Sequence, residues 1–310
     1  MPTSVAGVNL SHLAVIQAQG ADAGKFLQGQ VTQDVLSMNE IEARAGAYCS
    51  ARGRLLANFV MLRPTPDTWW LLTHAGLVEA LVKRLKMFVL RARCAVSVRG
   101  DLAVLGATAG DLAMWQVKVN GQGNHGAAAP LAYEVGWWGA RTLQVEVAPN
   151  AAHQTAQGDE ALQSWRLADV MSGWPWIEPA TVEQFVPQMV NFELLGGVNF
   201  RKGCYPGQEV VARSQYRGTL KRRMGLFRLN LVAGAAPPAA TELFHSEDPG
   251  QPAGLVVNAV ADPFEGSKVW MLAEVKLAAL SSGTLHLGGV DGPLLSPGTL
   301  PYRVPVEPER

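Results

Sequence analysis

The chain has 310 residues, 48% of them hydrophobic, and its 26 basic and 26 acidic side chains give no formal net charge. That length can bury a sizeable core divided between two or three structural units. The charge balance excludes a global field that would steer the molecule to nucleic acid or to an anionic membrane.

In chain order, Leu10 to Gln19 reads as a short strand closed by Gly20. Asp22 then caps a helix that turns Phe26 and Leu27 inward. Arg44 to Tyr48 and Leu55 to Leu62 alternate as strands on either side of an Arg52-Gly53-Arg54 turn, a hairpin, and Thr68 to Thr73 is a further strand. Leu77 to Val89 carries apolar residues at 77, 78, 81, 82, 85 and 88, a helical spacing. Cys94 to Val98 and Ala103 to Gly106 return to strand character, and the glycine-rich end of Gly110 to Gly126 argues for a loop. Leu131 to Val135 and Thr142 to Val147 alternate again; Glu160 to Ser172 reads as a helix stopped by Gly173. Beyond Arg223, strand candidates at Met224 to Val232, Leu243 to His245, Gly254 to Val260, Val269 to Val275 and Leu285 to Leu287 are separated by turn-formers. The expectation is an α+β region over residues 1–220 and a small all-β barrel or sandwich over 221–310.

Chemistry concentrates in Lys202-Gly203-Cys204-Tyr205-Pro206-Gly207-Gln208-Glu209-Val210-Val211-Ala212-Arg213. A thiol stands between two glycines with Lys202 close by, and a neighbouring positive charge favours the nucleophilic thiolate. If the chain turns at Pro206-Gly207 and then runs as a helix, Cys204 lies near a helix N-terminus, and Glu209 with Arg213 forms an i,i+4 pair. A small buried cysteine in a glycine-rich turn is the alternative. Cys49, Cys94 and Cys204 are widely spaced without a CxxC, so the sequence supports neither a zinc ribbon nor a local iron–sulfur site and fits a reducing compartment. The N-terminus lacks the regions of a secretion signal and no apolar run approaches membrane-spanning length, so a cytoplasmic, membrane-free protein is expected. Charge is nonetheless local. Lys83 to Arg99 holds six basic residues and no acid, and Arg201 to Arg223 holds seven against Glu209 alone, which suggests an anionic small ligand more than a nucleic-acid coat.

The twelve-residue motif resembles the signature of the folate-binding YgfZ family, a branch of the superfamily that includes the glycine-cleavage T-protein, a tetrahydrofolate-dependent aminomethyltransferase. Collinear blocks extend the resemblance: Gly20 to Ala23 with Phe26 to Val35, Ser50 to Arg54, and Gly173 through Pro187, Asn191 and Gly196-Gly197 to Arg213. It implies three subdomains in a ring around a central channel, the last a β-barrel. It also implies tetrahydrofolate as the bound cofactor. The pterin-binding glutamate of the transferases maps to Glu183 by its spacing to Pro187, and a carboxylate accepts paired hydrogen bonds from an amino-pyrimidine edge. Gln188 and Asn191 are possible second contacts. Trp174 and Trp176 suit the walls of a flat heterocycle as well as they suit a core. Arg217, Lys221, Arg222 and Arg223 offer guanidinium forks or charge for a glutamyl tail. Where the T-protein keeps a catalytic aspartate, this chain has Leu81, which cannot exchange a proton. The resemblance therefore implies a folate-binding accessory protein for assembly or repair of iron–sulfur proteins, including transfer RNA-thiolating enzymes. Its working residues would be Cys204 and Lys202, within the motif of Gly203, Tyr205, Gly207, Gln208, Glu209 and Arg213. Its partners would be folate and iron–sulfur clients or assembly proteins, with no resident metal. A folate-dependent one-carbon transferase is the alternative, and zero net charge argues against direct transfer RNA binding.

Overall fold

The computed structural model describes residues 8–40, 42–108, 131–134, 141–147, 159–217, 220–230 and 235–305. Three antiparallel sheets organise them. The first contains β2 (Leu13–Gln19), β3 (Ala43–Cys49), β4 (Leu55–Thr65), β5 (Thr68–His74) and β6 (Ala95–Val98) in the order β3-β4-β5-β2-β6. The second places β1 (Val8–Asn9), β7 (Leu102–Thr108), β8 (Leu131–Glu134) and β9 (Arg141–Val147) in the order β1-β7-β9-β8. The third contains β10 (Arg222–Asn230), β11 (Glu242–His245), β12 (Asp248–Ala261), β13 (Lys268–Lys276), β14 (Leu285–Leu287) and β15 (Ser296–Pro297), ordered β14-β11-β12-β13-β10-β15, and curls as a half-barrel. A register shift between Val256 and Asn258 marks a bulge in β12. Such a bulge bends the strand and increases its twist.

Among the described residues four α-helices accompany the sheets: α1 (Ala23–Gln28), α2 (Val78–Val89), α3 (Asp159–Met171) and α4 (Gln208–Tyr216). α2 buries Val78, Leu81, Val82 and Leu85, the face its spacing predicts. The main core joins the five-stranded sheet, α2, Trp174, Trp176, Phe185 and Phe192 to Met224, Leu226, Val257, Val260 and Leu272 of the half-barrel. The other face of the half-barrel encloses a separate cluster that includes Phe227, Leu229, Leu243, Val256 and Met271.

Two expectations are corrected. The strand expected over Leu10 to Gln19 starts only at Leu13: a turn at Ser11-His12 separates β2, which pairs with β5 and β6, from β1 just before the expected strand, which pairs with β7. Asp22 makes no side-chain cap for α1. Its carboxylate accepts instead from the backbone N–H of Arg93 (2.8 Å) and from that residue's Nε (3.1 Å), tying the start of α1 to the chain entering β6. Glu183, the expected pterin contact, follows a 3-10 turn over Pro179–Thr181 and has a left-handed backbone (φ 61°). The loop expected over 110–126 lies outside the described residues, as do Val135, Leu231 and Val232 at the ends of expected strands.

Candidate functional site

Two loops distant in sequence interlock around the cysteine motif. The β3–β4 turn closes with the Ser50 N–H donating to the Arg54 carbonyl (2.8 Å) and the Gly53 N–H to that of Ser50 (2.9 Å). Gly207, in the left-handed region at φ 77°, is the cap residue before α4. A Cβ on Gly207 would lie 2.3 Å from the Ser50 carbonyl oxygen and 2.6 Å from both N and Cα of Gly53. Gly53 is itself left-handed (φ 70°), and its own Cβ would press on Val210. The backbones touch here only because both side chains are hydrogen atoms.

Within this frame the motif alternates between anchors and an exposed thiol. Lys202 is buried, and its ammonium donates to the carbonyls of Gln28, where α1 ends, and Val31 (2.6 Å). Carbonyls left over at a helix C-terminus favour such a cation. Burial lowers the Lys202 pKa to about 8, although Asp34 and Cys204 pull the other way. The ammonium also lies 5.2 Å from the Tyr205 ring centroid. Tyr205 is buried, and its phenol is pushed well above the usual range by desolvation and, secondarily, by Cys49. Between these anchors, Gly203 and Cys204 are exposed. Gln208 opens α4 with its N–H on the Tyr205 carbonyl (3.2 Å). The Glu209–Arg213 pair forms as expected at 3.1 Å on the exposed face, where such pairs contribute roughly 0.3–0.5 kcal/mol. Cys49 is fully buried, its thiol pushed up to about 12 by desolvation.

The residues expected to hold a ligand separate into two groups. Glu183 is exposed, and its backbone is fixed to β4 by its N–H on the Leu55 carbonyl and by the Leu55 N–H on the Phe185 carbonyl, both 2.8 Å. The Arg54 guanidinium donates to the Gln184 carbonyl beside it. A left-handed non-glycine residue held this rigidly is a common companion of function. Arg217, at the end of α4, and Lys221 are also exposed.

The second group is engaged inside the protein. Gln188 donates through Nε2 to the Val211 carbonyl (2.9 Å) and the Gln215 side chain (3.3 Å), fastening α4. Asn191 donates to the Met224 carbonyl (2.8 Å). Arg223 forms a buried ion pair with Glu193 and donates to the Gln188 carbonyl (2.9 Å). Burial raises the Glu193 carboxyl pKa by more than this guanidinium lowers it. Arg222 pairs with buried Glu274 at 2.8 Å. Trp174 is fully buried, edge-on to Trp176 and Phe192 with centroids 5.6 Å apart in each pair.

A polar cluster that the sequence reading missed borders these tryptophans. His12, His74, Arg166, Asp169, Glu178 and Asn258 line a cavity of about 20 Å³ where the five-stranded sheet, α3 and β12 meet. That space holds about one water molecule. Both ring nitrogens of His12 are buried without a hydrogen-bond partner among the described residues. Its pKa falls to about 3, first through burial and then through Arg166 and His74. These residues come from four distant stretches of chain, so no local motif could have signalled them. Among the described residues, no three His, Cys, Asp or Glu side chains gather as a metal site.

No protein-family model matches the chain. The tRNA-modifying protein YgfZ of Klebsiella pneumoniae (strain 342) is 32% identical over 248 residues, covering 76% of this chain and 75% of that protein. The chain belongs to the YgfZ family. Another member, tRNA-modifying protein YgfZ of Sodalis glossinidius (strain morsitans), is 28% identical over 317 residues, covering 96% of this chain and 93% of its own length. The fold is that of glycine cleavage system aminomethyltransferase T from Bartonella henselae, with a TM-score of 0.69, 17% identity, and coverage of 95% of this chain and 85% of that one. In this YgfZ-family chain Leu81 is packed on the core face of α2, where it exposes no polar group.

Proposed function

We propose that this chain is a tetrahydrofolate-binding accessory protein for assembly or repair of iron–sulfur proteins, among them enzymes that thiolate transfer RNA. In this reading it acts in the cytoplasm, with residues 1–220 and 221–310 forming its folate-binding region and its barrel, arranged as three subdomains around a central channel. The observation that carries it is the exposed Cys204, held between two buried anchors on a turn locked to the β3–β4 hairpin. Family membership and the aminomethyltransferase fold support the folate part. The relatives' names, tRNA-modifying protein YgfZ, support the link to transfer RNA modification.

The residues present fit a folate in chemical type. Glu183 presents a carboxylate on a rigid left-handed backbone, suited to accept from the amino-pyrimidine edge. Arg217 and Lys221 remain exposed for the glutamyl carboxylates. Gln188, Asn191, Arg223 and Trp174 act instead by holding α4, β10 and the core in place. Tetrahydrofolate, when bound, supplies a reduced pterin that can carry a one-carbon unit. Leu81 offers no base for transferring that unit, so the working group is the exposed Cys204 thiol, which meets the client protein. Lys202 contributes by fixing the turn and by a positive charge directed chiefly at α1.

Calorimetric titration with tetrahydrofolate tests the ligand: Glu183→Ala should abolish the binding heat and Cys204→Ala should leave it near normal. Equal loss in both would make Cys204 a wall of the folate site. Expression of Cys204→Ala in cells lacking their YgfZ protein tests the role, since iron–sulfur enzyme activities restored to the wild-type level would refute it.

A further inference from the structure

β6 forms an end of the five-stranded sheet, hydrogen-bonded to β2 on one side and unpaired on the other among the described residues. The Arg99 N–H donates to the Val15 carbonyl (2.9 Å). By the two-residue alternation of a strand, Ser97 and Ala95 also turn their backbone groups to β2, while Val96 and Val98 turn theirs to the free edge. Beside that edge runs the C-terminal end of α2. Between them lies an open groove of about 570 Å³, with Lys86, Val89 and Leu90 on the helix side and Cys94 to Ser97 on the strand side.

Two features make this groove unlike ordinary surface. Leu90 follows α2 with φ 45° and ψ −105°, yet the residue is 86% exposed. A non-glycine residue in such a region carries strain of order 1–3 kcal/mol, and sites of this kind gather where ligands are held. Here the strained backbone holds an apolar side chain out into water at the groove's lip. The second feature is charge. Lys83, Lys86 and Arg91 are exposed, and the sequence has no acid from Lys83 to Arg99. Asp22 pairs with Arg93.

We propose that this groove docks an extended, acidic segment of a partner protein, which adds to the free edge of β6 as a further strand. An unpaired strand edge supplies main-chain hydrogen bonds to a peptide, and flanking pockets read its alternate side chains. Leu90 covers an apolar residue of the segment while Lys86 and Arg91 meet its carboxylates. Unpaired backbone donors and acceptors favour a peptide over RNA or a lipid surface. A second copy pairing β6 to β6 would bring both sets of cations together, at a like-charge cost. This docking site is independent of Cys204.

The test uses the full chain and a fluorescent, acetylated nine-residue peptide alternating glutamate with valine, read by anisotropy against a lysine–valine counterpart. The acidic peptide should bind, weaken as salt is added, and protect the amides of residues 96 and 98 from hydrogen exchange. Val98→Pro removes one outward N–H at an edge position where proline is tolerated, and Lys86→Glu reverses a charge. Each should weaken binding about tenfold or more. Leu90→Gly should also weaken it while leaving thermal stability equal or higher, because the strain is relieved; a purely structural role for Leu90 would not separate the two. The proposal is overturned if the lysine peptide binds as well as the acidic one, or if protection falls outside residues 86–98. It is equally overturned by a dimer that Val98→Pro abolishes, or by RNA oligonucleotides or anionic vesicles that bind this groove in preference to the peptide.

Discussion

Replacing Gly207 with alanine tests whether the cysteine motif is held by direct backbone contact with the hairpin. An alanine in the left-handed region costs roughly 1–2 kcal/mol. Its Cβ would also fall 2.3 Å from the Ser50 carbonyl oxygen and 2.6 Å from two backbone atoms of Gly53. None of these can move by a change of rotamer, so the loops must separate, at about 1–3 kcal/mol for overpacking of this kind. The expected loss is therefore about 2–5 kcal/mol, measured by urea unfolding followed through tryptophan fluorescence. Gly53→Ala should cost less, because its closest approach is 2.8 Å to Val210 rather than 2.3 Å, and its one backbone neighbour, the Gly207 carbonyl oxygen, lies 3.2 Å away. Gly203→Ala is the internal control: a Cβ there meets nothing within 4 Å, and the change should stay within about 0.5 kcal/mol. If Gly207→Ala and Gly203→Ala cost the same, the interlock is not what holds the motif.

Lys202 gives a pH test. Its folded pKa of about 8 lies below the ordinary lysine value of 10.5, so the unfolded chain binds more protons between those values and stability should rise with pH across that interval. The difference between wild type and Lys202→Met should show this rise, and a flat or falling difference would contradict the desolvated ammonium. For the buried Arg223–Glu193 pair, Arg223→Met alone should cost about 3–5 kcal/mol, with much of it recovered in Arg223→Met/Glu193→Leu; an additive double variant would argue against the pairing. Alkylation with iodoacetamide at neutral pH, mapped by mass spectrometry, should label Cys204 first and Cys94 more slowly. Cys49 should react only on unfolding, and early labelling at Cys49 would contradict its burial.

Much of the framework was legible because local chemistry determined it. The strands of the five-stranded sheet follow alternation and the hairpin glycine, and α2 follows its apolar spacing. The half-barrel strands follow the turn residues between them. The site was less legible because polar residue types have two uses. Gln188, Asn191 and Arg223 have the right chemistry for a ligand, yet each meets a carbonyl or carboxylate brought near only by folding. Asp22 resembles a helix cap, but Arg93, seventy-one residues later, competes for it. The left-handed turn at Glu183 had no glycine or asparagine to announce it. His12 and Glu178 became neighbours of one cavity only through the meeting of the sheets.

The half-barrel's second apolar face has a practical consequence for dissecting this chain. Met224, Leu226, Val257, Val260 and Leu272 belong to the main core, and α3 packs against β12. A cut near residue 220 would leave the C-terminal fragment with an uncovered oily face and the N-terminal fragment with an unroofed core. Fragments made there would aggregate or capture bystander proteins. Partners are better mapped with point substitutions in the intact chain.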